Sequence, residues 1–373
     1  MPMGGRKPDV SAPALTIRAL RAVAVEVPMT YVLGTSAGAV RAAPLLLVDL
    51  ETEEGITGRS YLFCYLRAAA PAIIALLGEV LRHVQGDPVD PVELWAKLAK
   101  HFRLIGVQGI VRMAMAAFDI ACWDALAIAA GVPLAVYLGG KPRPIPAYNS
   151  CGLGLMAPQA VADEAEKLLE RGFRALKLRL GYSTLAQDLA ALDAVRSRVA
   201  RAVAVMVDYN QALSTADALE RGRALDSEGV YWIEEPIRHD DYAGCAQLAR
   251  ALVTPIQIGE NFSLPHAMAE ALAAHACDFV MPDLERIGGV TGWQRATGLA
   301  ANAGIRISSH LFPELSAHLL AVTPTCHWLE YVDWANLILA EPLRIVDGCA
   351  VVSDAPGNGL VWNDTAVAHY RTL

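Results

Sequence analysis

The sequence predicts an α/β protein, a (β/α) barrel preceded by a smaller α+β domain, and three observations carry that prediction. From residue 144 onward, short apolar runs alternate with longer helical stretches eight times, the pattern of a parallel barrel. Polar residues close those runs at near-constant intervals, 20 to 27 residues from Asp208 onward, about the length of one β/α unit. Residues 13–133 lack that alternation and read as strands followed by helices, and 373 residues are more than one ordinary domain requires.

The elements follow in order. Residues 1–12 contain Pro, Gly and charge without a pattern and are expected to be a disordered tail. Residues 15–27 and 45–51 are rich in β-branched and aliphatic side chains, and the run Glu-Glu-Gly-Ile-Thr-Gly turns the chain toward Tyr61. Helical spacing follows over 68–85, 91–102 and 107–130, the last stopped by Gly131-Val132-Pro133. The barrel strands are expected at 145–148, 175–180, 203–208, 231–234, 256–259, 279–281, 306–309 and 328–330, within a barrel domain of 144–341. Residues 342–373 read as turn-rich and β-like, a segment returning to the first domain.

Composition restricts the function class. The net charge of −8 offers no electrostatic footprint for nucleic acid or an anionic membrane. The most apolar stretch, 68–81, is interrupted by Pro71 and Gly78 and is too short to span a bilayer. Seven dispersed cysteines without Cys-x-x-Cys pairs read as reduced thiols. With no apolar leader at the start, a cytoplasmic location is expected.

The run-ending residues are Ser150, Lys177 with Arg179, Asp208, Glu234, Glu260, Asp283, His310 and Glu330. Barrel enzymes gather their chemistry at the C-terminal ends of the strands. Asp208, Glu234 and Glu260 end three consecutive runs, and three ionised carboxylates in register repel unless a cation lies between them. Oxygen-only ligation favours a hard ion such as Mg2+. Each acid alone is equally well read as a helix cap or an ion-pair partner. Asp283 and His310 end the next two runs; a carboxylate on one imidazole nitrogen fixes the tautomer and raises the basicity of the other, although a lone strand-end His is more often structural. Lys177 and Arg179, two apart on one strand, face the same way and call for an anion. A rim ion pair is the alternative.

At this point the stretches RGFRALKLRLGY, VMVDYNQ, WIEEP, GEN, MPDLERIGGVTGW and SSHLFPELSAHLLAVTPTCHWLE resemble the mandelate racemase / muconate lactonizing enzyme family of the enolase superfamily, and within it the mandelate racemase group most. The resemblance runs from about Tyr31 to the C-terminus. It implies a modified TIM (β/α) barrel with an N-terminal α+β capping domain, and Mg2+ held by Asp208, Glu234 and Glu260. It also implies that His310, oriented by Asp283, is a base on one face of the substrate α-carbon. Glu330, Lys177 and Ser150 would contact the substrate carboxylate, and Asn210 its 2-hydroxyl. Leu33, Thr35, Ala37 and Val40 would form a mobile loop over the site, with Phe63, Tyr65, Leu311 and Val332 lining its distal end. The partners implied are a small-molecule carboxylate and further copies of the chain in a homo-oligomer.

One position departs from the pattern. The group carries Lys-x-Lys, whose second Lys is the base opposite the His, whereas this chain has Lys177-Leu178-Arg179. Arg holds its proton far too tightly to be an efficient acceptor. The expected activity is abstraction of the α-proton of an apolar-substituted 2-hydroxy acid through a metal-stabilised enediolate. Two alternatives stand beside it: an acid-sugar dehydratase using the same metal and His310, and a non-catalytic remnant.

Overall fold

In the computed structural model, residues 14–35 and 38–373 are described; the expected tail at 1–12 and Ala37 lie outside them. The capping domain begins with a three-stranded antiparallel sheet, β1 (Ile17–Thr35), β2 (Gly38–Thr52) and β3 (Thr57–Phe63), in the order β1-β2-β3. Three helices cover it: α1 (Ala69–Val84), α2 (Pro91–Phe102) and α3 (Gly109–Ala129). Asp90 starts α2 by accepting the Glu93 N–H at 3.2 Å, with Pro91 in the first turn. Between β3 and α3 only a residue without a side chain fits at Gly58, because a Cβ there would overlap the Ala121 carbonyl and Ala125.

After a single turn, α4 (Leu134–Tyr137), the chain alternates as its pattern requires. The sequence runs β4 (Ile145–Asn149), α5 (Pro158–Leu169), β5 (Ala175–Arg179), α6 (Leu185–Arg198), β6 (Ala204–Asp208) and α7 (Thr215–Leu225). It continues with β7 (Ile233–Glu234), α8 (Tyr242–Ala251), β8 (Ile256–Ile258), α9 (Leu264–Ala273) and β9 (Phe279–Val280). Two helices, α10 (Leu284–Ile287) and α11 (Gly289–Ala303), precede β10 (Arg306–Ile307), and α12 (Pro313–Ala321) precedes β11 (Leu329–Tyr331). Neighbouring strands from β4 to β10 pair in parallel, and β11 pairs with β4. The Ile307–Cys326 bridge and the bond from Ser309 N–H to the Trp328 carbonyl at 3.0 Å join β10 to the last segment and close the barrel. The sequence therefore yields a (β/α) barrel with an α+β cap.

One feature differs from the expectation and one adds to it. Leu33, Thr35 and Val40, expected in a mobile loop, lie in the β1–β2 ribbon, whose register shifts between Pro28 and Leu33. The C-terminal segment meets the barrel before the cap. Its hairpin, β12 (Ile345–Val346) and β13 (Cys349–Ala350), adds antiparallel to β4. Only then does it reach the first domain, where Asn358 N–H donates to Asp124 at 2.6 Å and Trp362 to Asp49 at 2.8 Å, before α13 (Asp364–Tyr370). Turn-rich composition shows where the segment bends, but it cannot show which edge takes it.

The barrel interior below the site is sealed. Tyr148, Ala175, Met206 and Trp232 form a buried layer, with the Tyr148 and Trp232 rings edge to face at 5.4 Å. The Lys177 ammonium lies 5.8 Å above the Tyr148 ring. No helix among the described residues is long and apolar enough to cross a membrane.

Candidate active site

Each expected chemical residue lies at or just beyond the C-terminal end of a barrel strand. Lys177 and Arg179 are on β5, Asp208 and Glu234 end β6 and β7, Glu260 follows β8, and Glu330 is in β11. Asp283 caps α10 and forms a parallel bridge with His310. A pocket of about 270 Å3 opens among them, walled by Lys177, Arg179, Asp208, Glu260, His310 and Glu330. Asn210 and Gln211 contribute a polar side, and Leu33, Val40, Phe63, Tyr65, Leu311 and Trp334 an apolar one.

Lys177 is the hub of the acids. Its Nζ is 2.6 Å from Glu234, 2.7 Å from Glu330 and 3.3 Å from Asp208. Burial works against its charge, yet these carboxylates together hold the ammonium well above the usual lysine range. Glu330 responds in the opposite sense: burial would raise it, but Lys177 and His310 bring it down to about 2. Burial, reinforced by Asp208 and Glu330, pushes Glu234 up to about 8 despite Lys177.

His310 is held from both sides. Its Nδ1 is 2.7 Å from Asp283 and its Nε2 3.2 Å from Glu260. Burial opposes charging the ring, but Glu260, Glu330 and Asp283 outweigh it and raise its pKa well above the ordinary value. The next two residues, Leu311 and Phe312, have φ of 50° and 48°, a left-handed turn unusual for side chains of this size. That turn lets Leu311 N–H donate to Glu330 at 2.8 Å.

The three acids do not gather around one point. Asp208 and Glu234 face Lys177, whereas Glu260 faces His310 and Arg286, and among the described residues no group of three His, Cys, Asp or Glu side chains is disposed to hold a metal ion. The donor set nevertheless suits a hard cation: all the candidate donor atoms are oxygens, at the ends of three adjacent strands, and burial together with Asp208 and Glu330 disfavours a charged Glu234 that, among the described residues, has no cation beside it other than Lys177.

Two expected contacts lie elsewhere. Ser150 is fully buried behind Arg179, whose Nη2 donates to its hydroxyl at 2.9 Å, so it does not line the pocket. Val332 belongs to a small cavity behind the pocket wall, with Tyr61, Phe312 and Ala335. Sequence reasoning missed Trp334 and Gln211 on the walls, and Arg286 behind Glu260. Arg286 donates to the Glu260 carbonyl at 3.2 Å and to Asn261, and lies 4.5 Å from the Tyr65 ring. A cation three residues past Asp283, in the stretch that turns back toward Glu260, was the available signal.

Comparison with known proteins bears on both domains. Residues 17–139 match the mandelate racemase / muconate lactonizing enzyme N-terminal domain, and residues 160–366 the enolase C-terminal domain-like family. An L-talarate/galactarate dehydratase of Salmonella typhimurium is 32% identical over 324 residues, 86% of this chain and 81% of that protein. An enolase from alpha proteobacterium BAL199, solved with magnesium, superposes with a TM-score of 0.94 at 44% identity, covering 96% of this chain and 100% of that one. One from Bradyrhizobium, solved with magnesium and mandelic acid, gives 0.93 at 42%, covering 97% and 99%. With cap and barrel matched separately and the whole chain superposed, this protein belongs to the mandelate racemase / muconate lactonizing enzyme family of the enolase superfamily.

Proposed function

We propose that this enzyme removes the α-proton of an apolar-substituted 2-hydroxy carboxylate from one face only, with a divalent cation, Mg2+, held by Asp208, Glu234 and Glu260. The observation that carries the reading is His310: clamped on Asp283 through Nδ1, it turns Nε2 into a pocket that also presents Lys177 and Glu330.

When bound, the cation would supply Lewis-acid neutralisation of the charge that develops on the substrate carboxylate. The chain's own groups divide the remaining work. Lys177, protonated and held by Glu330 at 2.7 Å, would donate to the substrate carboxylate and offset its charge as it builds up, with Glu330 orienting the ammonium. His310 Nε2 would take the α-proton once Glu260, one of the residues that would hold the cation, no longer occupies that nitrogen. Asp283 would hold the ring and its tautomer throughout.

Arg179 would contribute charge and no base. Its Nη1 gives both hydrogens to carbonyls, Ser150 at 2.8 Å and Gly152 at 2.7 Å, so deprotonating it would forfeit a bond. Arg179 therefore offers no proton acceptor to the face opposite His310. The apolar wall of Leu33, Val40, Phe63, Leu311 and Trp334 suits an aromatic or aliphatic substituent, because a polyol would lose its hydrogen bonds there. Mandelic acid in the Bradyrhizobium neighbour supports that class.

A second reading, dehydration of an acid sugar, draws on the dehydratase relative and needs only His310 and the metal. The test is a panel of 2-hydroxy acids and sugar acids with and without Mg2+, in wild type and His310→Asn. Mg2+-dependent α-deuteration lost in the variant supports the first reading; a 2-keto-3-deoxy product supports the second; neither, across the panel, removes both.

A further inference from the structure

Arg179 has a structural partner beyond the pocket, and it leads to the cap. The guanidinium donates to the Ser150 and Gly152 carbonyls and to the Ser150 hydroxyl, while its backbone N–H donates to the Leu153 carbonyl at 3.0 Å. One residue thus fixes four points on the loop that follows β4. Glu164 secures the same loop from the far side, accepting the Leu153 N–H at 2.6 Å. The loop needs such support, because Gly152 and Leu153 are both left-handed, at φ 57° and 46°.

The β1–β2 ribbon rests on this loop. Leu155 N–H donates to the Gly34 carbonyl at 3.1 Å, and Gly154 lies so close to the Gly34 backbone that a Cβ would overlap it. A Cβ on Gly152 would likewise meet the Tyr31 side chain. Leu33 and Thr35, on the same ribbon, wall the pocket. Backbone therefore packs on backbone where the ribbon meets the barrel, and the shape of the lower surface is set by a cation inside the active site.

We propose that Arg179 is a positioning residue, the staple of the seat on which the cap ribbon docks over the pocket. This explains a guanidinium where the family pattern has an ammonium. Arg spreads its donors over two coplanar nitrogens, which reach two carbonyls and a hydroxyl at once; Lys offers a single nitrogen. The position has exchanged a proton acceptor for control of ribbon docking, and the reaction proposed above would feel it through Leu33 and Thr35.

Hydrogen–deuterium exchange on the full chain tests this without substrate, so its failure is separable from failure of the functional reading. In Arg179→Met, peptides covering 28–35 and 150–156 are expected to exchange at least tenfold faster than wild type, while those in α11 are unchanged. Arg179→Lys, with one nitrogen restored, is expected to recover part of that protection. Gly154→Ala, which leaves Arg179 in place but forces the ribbon off its seat, should give the same local signature. Unchanged exchange in either segment, or faster exchange spread evenly over the barrel, would overturn the proposal.

Discussion

Replacing Asp283 by Asn asks whether the clamp on His310 sets the base. The carboxylate has two separate tasks. Its Oδ1 accepts the backbone N–H groups of Glu285 at 2.8 Å and Arg286 at 3.0 Å, and its Oδ2 meets His310 Nδ1 at 2.7 Å. An Asn must keep its carbonyl oxygen on the two backbone donors, since an amide NH2 there would face two N–H groups. Its NH2 then points at Nδ1, which has to accept, and the imidazole proton moves to Nε2. The cap of α10 survives while the base loses its lone pair. General-base contributions of about 10^2–10^4 in rate, roughly 3–5 kcal/mol of barrier, set the expected loss. The assay is α-deuteration in D2O followed by proton NMR, with 15N shifts of His310 reporting the tautomer. Mg2+ affinity should stay within about threefold of wild type, because no proposed ligand is touched. A loss below about tenfold, or an unshifted tautomer accompanied by a full loss, would refute the reasoning.

Other predictions follow from the same geometry. Arg286→Met removes the donor to the Glu260 carbonyl and to Asn261, and is expected to weaken Mg2+ binding by about 10–100-fold in calorimetry; unchanged affinity would count against Arg286 as an organiser of Glu260. Gly58→Ala drives a methyl into the Ala121 carbonyl on α3, and is expected to cost about 1–3 kcal/mol in urea unfolding; an unchanged midpoint would refute that contact. His318, buried with Nδ1 accepting the Ala135 N–H at 3.2 Å, is lowered by burial to about 4. Its folded value lies below its unfolded one, so its stabilising contribution is complete above about pH 6.5 and is lost as pH falls toward 4. Asp119 and Asp124, pushed up to about 7 by burial, act in the opposite direction, so the His318 contribution is read as a difference. The stability gap between wild type and His318→Gln should move against wild type by about 2 kcal/mol between pH 7.5 and pH 5, and a constant gap would contradict it.

The barrel was legible because its signal is redundant. Each β/α unit repeats an apolar run with a polar end, and an error in one strand cannot hide the other seven. The strand-end placement of the acids, Asp283 and His310 was legible for the same reason, since strand-end positions converge wherever the strands do. What the pattern could not show was which acid faces which cation. Lys177 takes Asp208 and Glu234, and His310 takes Glu260, through side-chain choices of an ångström or two that periodicity does not encode. Ser150 lies on the same scale: a strand-end hydroxyl can face the pocket or a neighbour, and here it meets the Arg179 fork. The ribbon that carries Leu33, Thr35 and Val40 is expected as a loop on the resemblance alone, not from its own strand pattern. It forms nevertheless by pairing with its own continuation, Leu33 with Val40 and Gly34 with Ala39. Trp334 escaped notice because it follows β11 by only three residues, in a loop with no periodicity to mark it.

The most direct measurement uses the separate enantiomers of mandelate with Mg2+ in D2O, following deuterium at the α-carbon together with optical rotation. With His310 as the sole base, one enantiomer should exchange with its configuration retained while the other remains protiated. Exchange of both enantiomers at comparable rates, with racemisation, would mean that a second base works on the opposite face and would contradict the account.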